Sequence, residues 1–183
     1  MLKIITGFVA GLVLFAGLGW QYGGSLMVKE YPSPYGLEET VARIQHNIEA
    51  TGKGWTLSGL RSPSNAIRKL GATVPNVLLV EACSTDYSKP IIKARETRIL
   101  SILMPCTITV YEDDEGEVFI GMLNTALMGR LFGAEVTAIM KNVAADQAQF
   151  INFDPNKPTP KIIPPANSGA PKSGAGIQEL GGC

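Results

Sequence analysis

Apolar positions repeat with two clear periods along the middle of this chain. In "GLEETVARIQHNIEATGKG", Leu37, Val41, Ile44 and Ile48 recur at spacings of four, three and four, which predicts a one-faced helix. Gly52 and Gly54 stop it. Upstream, "SLMVKEYPS" suits a short strand that Pro32 and Pro34 end. "WTLSGLR" alternates like a strand, and "SPSNAIRKLGATVP" reads as a loop with one helical turn. The unbroken apolar run "NVLLVEAC" has the length of a buried strand. Pro90 interrupts "TDYSKPIIKARETRILSILM", so two short helical pieces are expected there. "CTITVYE" and "EVFIGML" are β-branched and aromatic runs joined by "DDEGE", a hairpin signal. "NTALMGRLFG" reads as a short helix capped at Asn124. A longer helix follows, with Val136, Ile139, Met140, Val143 and Phe150 on one face.

The two ends break this pattern. Between Lys3 and Lys29 lie 25 residues without a charge, and Ile4 to Tyr22 is long enough to cross a bilayer. Trp20 and Tyr22 stand where interfacial aromatics belong. Residues 1–24 therefore read as a transmembrane anchor in preference to a cleaved signal peptide, since no Ala-x-Ala site follows. Lys3 favours a cytoplasmic start, so the expectation is a single-pass inner-membrane protein whose C-terminal domain lies in the periplasm. Gly7 and Gly11, four apart, are a candidate helix-pairing face through which a membrane-complex partner would be held. Residues 154–183 carry six Pro and five Gly without periodicity and read as a disordered tail. The domain between them spans residues 25–153.

Composition narrows the function. At 45% apolar, 183 residues suffice for one domain with a real core. Lys plus Arg and Asp plus Glu are each 16, so no net basic field exists to hold nucleic acid. His46, the only histidine, falls opposite the helix's apolar face and points to solvent, without partners for a metal site or a catalytic triad. No glycine-rich phosphate loop appears. The carboxylates Glu112, Asp113, Asp114 and Glu115 fit a wet hairpin turn better than a calcium site. No cofactor is expected.

The thiols leave three readings open. Cys83 and Cys106 are small buried hydrophobes, or a disulfide that an exported chain permits, or functional thiols. A disulfide between them would add about 3.4 kcal/mol in the chain-entropy account. As functional groups they would serve as a redox pair, a sulfur carrier, or soft ligands for Cu(I) with Met104 or Met122. Strand alternation puts Cys106 on the core face with Ile108 and Val110. Cys83 shares a face with Glu81, which turns it the other way unless a bulge intervenes. Cys183 ends the tail as an accessible thiol.

Several strings, in order, resemble the family called domain of unknown function 302: "GLEETVARIQHNIEATGKGWTLSG", "VLLVEAC", "MPCTITVYEDDEGEVFIGMLN" and "LMGRLFG" with the closing helix. Cys83 and the Pro105–Cys106 pair resemble an often exported subgroup. The resemblance implies an α+β fold, an antiparallel sheet with helices packed on one face in a TATA-binding-protein-like arrangement, and a homodimer. It implies no reaction. The sequence reading is therefore a non-enzymatic module, membrane-anchored and dimeric, that binds a small apolar ligand or a partner. The alternative is a thiol-dependent redox, sulfur-handling or soft-metal protein using Cys83 and Cys106.

Overall fold

Strands β1 (Val28–Pro32), β2 (Trp55–Arg61), β3 (Val77–Ser84), β4 (Cys106–Glu112) and β5 (Val118–Leu123) form one antiparallel sheet. Their order across it is β1-β5-β4-β3-β2. This computed structural model describes residues 23–164, with Gly7, Gly11 and Gly19 from the stretch before them. The expected anchor lies almost wholly outside the described residues, as do residues 165–183 and Cys183. Among the described residues no helix is long and apolar enough to cross a membrane. Gly7 and Gly11 are helical and exposed, with open space where a Cβ would stand.

Direct cross-strand partners share a face, and the pairs Val80–Ile108 and Val110–Ile120 are all but inaccessible. Two helices cover that face. α1 (Leu37–Thr51) contributes Val41, Ile44 and Ile48, at the expected spacing, and the chain leaves it through left-handed Gly52, Lys53 and Gly54. The last helix, α5 (Ala134–Phe150), contributes Val143 and Phe150. The other sheet face, with Leu79, Thr107, Thr109, Tyr111 and Phe119, is half-buried, and Tyr111 stacks on Phe119 at 5.8 Å.

Short helices fill the connections. α2 (Pro63–Arg68) is capped by Ser62, and α3 (Thr85–Lys93) by Ser84. As expected, α4 (Thr125–Gly129) starts at Asn124, whose side chain accepts from the Leu127 N–H. Gly129 lets α4 and α5 touch, because a Cβ there would stand 2.6 Å from that of Met140.

The two short helical pieces expected around Pro90 are present, as α3 and a 3₁₀ helix, Arg98–Leu103, but Pro90 sits inside the first and the break falls at Ala94, which turns extended. One expectation needs correction: the start of the tail is ordered. Residues 154–163 lie along α1 as a strap. Arg43 donates to the carbonyls of Asp154 and Lys157, and the Gln45 amide makes a double hydrogen bond with the backbone of Ile163 at 2.9 and 2.8 Å. The strap explains why polar Gln45 is fully buried on the helix's outer side. His46 does point outward, with its Nε2 3.1 Å from the Lys161 carbonyl oxygen.

Candidate functional site

At the end of the sheet where β4 begins, a cleft opens between α3, the 3₁₀ helix and α5. Its cavity volume is about 30 Å³, and it is partly open to solvent. Trp55 and Tyr87 wall one side, Leu103 and Met104 the entrance, and Met140 and Val143 the helix side. Each position has a local cause. Trp55 opens β2 immediately after the left-handed turn that ends α1. Tyr87 lies in the first turn of α3, directly after the Ser84 cap. The 3₁₀ helix, with three residues per turn, sets Leu100 and Leu103 on one inward ridge.

Both strand cysteines line this cleft. Cys106 faces the core beside Ala82, its partner in the β3–β4 register, as alternation requires. Cys83 follows Ala82, past the last β3–β4 pair, where the strand bends into α3. Its Sγ lies 3.3 Å from the Ser88 hydroxyl. Strand alternation alone places the two sulfur atoms on opposite faces, yet both line one cavity. They are not joined, because Cys106 is a free thiol. Burial pushes that thiol up to about 11, so at neutral pH it is protonated and a poor nucleophile. Met104 shares the cleft; Met122 is buried in the sheet core and does not line it.

Behind Trp55 lies a polar knot that periodicity did not single out. The buried carboxylate of Asp146 accepts from Lys53 Nζ at 2.6 Å, Trp55 Nε1 at 3.0 Å and the Tyr87 hydroxyl at 2.8 Å. Burial alone would raise its pKa, but hydrogen bonds from these three donors and the Lys53 charge hold it below the ordinary carboxylate range. The signal was present in the sequence. Asp146 follows Val136, Met140 and Val143 on the same helical stripe, and a charge on a buried stripe needs partners. Trp55 also meets Phe150 edge-on at 5.0 Å and Tyr87 at 6.0 Å.

The knot decides what the cleft can accept. Tyr87 and Trp55 spend their polar atoms on Asp146, and the Ser88 hydroxyl donates to the Ser84 carbonyl at 2.7 Å. Carbon and sulfur are what remain. A second cleft of about 30 Å³ lies next to the first and shares Leu103, Cys106 and Met140 with it. Among the described residues no cluster of three or more His, Cys, Asp or Glu side chains could hold a metal ion. The acidic hairpin end is a turn. Asp113 Oδ1 accepts from the backbone N–H groups of Glu115 and Glu117, with Gly116 left-handed.

An antiparallel five-stranded sheet with two long helices on one face is an α+β class of domain. The chain belongs to the family Domain of unknown function DUF302, which it matches over residues 29–153. It is also similar in fold to the crystal structure of an uncharacterized conserved DUF302 protein from Bacillus stearothermophilus. The TM-score is 0.61 and the identity 16%, covering 69% of this chain and 97% of that one. No curated protein matches it.

Proposed function

We propose that this is a non-enzymatic binding module that takes a small apolar ligand in the cleft beside Cys106. It is held at the inner membrane by the apolar segment before residue 25, with its domain in the periplasm. The observation that carries this reading is the cleft wall, whose polar atoms are already hydrogen-bonded within the protein. A cleft lined this way suits a compact apolar group, which enters as flexible side chains such as Met104 and Met140 give way. Its neighbour, reached past the flexible Met140 and Leu103 side chains, gives room for a longer one. The homodimer expectation draws support from the sheet's helix-free face with its Tyr111–Phe119 stack. Cys106, of the Pro105–Cys106 pair that resembles the exported subgroup, lines the cleft. Thiol chemistry is the weaker reading, because Cys106 is protonated at neutral pH and is not bridged to Cys83.

Titration of the full chain in mild detergent with N-phenyl-1-naphthylamine, an apolar fluorophore, tests the reading. Saturable binding should weaken by about tenfold or more in Leu103→Trp, which fills the entrance, and persist in Leu103→Ala, which widens it. Equal affinity in both variants, with unchanged melting points, would place the probe elsewhere and end the proposal for this cleft.

A further inference from the structure

We propose that the end of the domain built from α3 and the following 3₁₀ helix docks on the surface of an anionic lipid bilayer. The 3₁₀ helix is apolar on two sides. Leu100 and Leu103 form its inward ridge, while Ile99 and Ile102, also three apart, are 74% and 81% exposed. Ile92, at the end of α3, is exposed beside them. Arg98 holds this shape by donating to the carbonyls of Ile92 and Lys93, so the outward ridge is fixed rather than loose.

Charge surrounds these side chains with one sign. Lys89, Lys93, Arg95 and Arg98 are exposed between residues 89 and 102, against the single carboxylate Glu96. Asp86 and Glu135 stand at the margins, and Arg130 offsets one of them. The zero net charge of the chain hides a separation. β4 runs from this end to the hairpin turn, roughly 20 Å away at a strand's rise per residue. Five carboxylates sit there between residues 112 and 117, only partly offset by Arg68 and Lys69 of the β2–β3 connection. Such a molecule orients at a negative surface with its basic, apolar end down.

The chain's own path agrees. It enters the sheet at this same end, where Val28 pairs with Leu123 and Asn124 holds the Met27 and Leu26 carbonyls. Leu26, Val28 and Leu123 are all exposed there. The uncharged apolar stretch 4–22 lies immediately before. A domain tethered this way meets the bilayer at high local concentration, so even weak docking is populated. The inference does not depend on what the cleft binds.

Amide hydrogen exchange on the full chain in lipid nanodiscs tests it. In discs of phosphatidylcholine with about one-third phosphatidylglycerol, amides 98–103 should exchange about tenfold or more slowly than in pure phosphatidylcholine. High salt should remove the difference, as should the double variant Lys93→Glu/Arg95→Glu. Exchange that ignores lipid charge in the wild-type protein overturns the proposal. So does protection that appears in both lipids and grows with protein concentration, which would assign the ridge to a second copy.

Discussion

The corner behind Trp55 and the corner in front of it are both buried, and they are built on opposite principles. Behind, Asp146 collects three donors, from β2, α3 and the turn before β2, and is satisfied by all of them. In front, Cys106 offers a thiol that burial keeps neutral, in a wall where polar atoms are turned away. Trp55 and Tyr87 belong to both, with their polar tips in the knot and their ring surfaces in the cleft. The contrast separates a polar group that fastens helices to the sheet from an apolar surface left for something else to cover.

The sharpest way to break the comparison is Asp146→Ala. It leaves the Trp55 N–H and the Tyr87 hydroxyl without their acceptor, and each buried orphan costs about 1–3 kcal/mol. A loss of about 3 kcal/mol should appear in urea unfolding. Lys53→Met should cost much less, because the lysine side chain is more than half exposed. If both variants cost the same small amount, the knot is not what holds α5 to the sheet.

Most of the frame was readable before the fold was known. Alternation, apolar and β-branched runs and the near-3.6 period placed all five strands and both long helices. What escaped depends on contacts distant in sequence. The strap of residues 154–163 has no periodicity of its own and is ordered by Arg43 and Gln45 more than a hundred positions away. Pro90 signals two helical pieces but not their boundary, which falls at Ala94. Alternation put Cys106 on the core face, but it turned Cys83 the other way and so did not give the meeting of the two in one cleft. Asp146 was visible as an anomaly, and its three donors were not.

A second way to sharpen the comparison uses the thiol itself. With its pKa raised to about 11 from the usual value near 9, Cys106 is far less ionised at neutral pH than an unfolded thiol. Iodoacetamide should therefore modify it about a hundredfold more slowly in the native chain than in the same chain in urea. Peptide mapping reads that residue separately, and the native rate should keep rising with pH beyond the point where the unfolded rate levels off. Native and unfolded rates within a few-fold of each other would mean a solvated thiolate. The cleft would then be a place for chemistry, and the thiol-dependent reading would replace the binding one.

The smallest effect expected is a difference in acid sensitivity. Asp146 has a folded pKa below its unfolded value, so the native state binds fewer protons at this group than the unfolded chain does. Its contribution is complete above the unfolded carboxylate value, near 4, and is lost as pH falls through the folded one. Asp146→Asn keeps one acceptor oxygen for the indole and phenol but has nothing to titrate. Its urea midpoint should start lower than that of the wild-type protein at neutral pH and decline less steeply below about pH 4, so that the two curves converge. Cys106→Ser, on the other side of Trp55, should run parallel to wild type across the same acid range, because neither side chain changes charge there. Parallel curves for all three proteins would show that the carboxylate's partners do not favour its charged form. The knot would then differ from the cleft in shape alone.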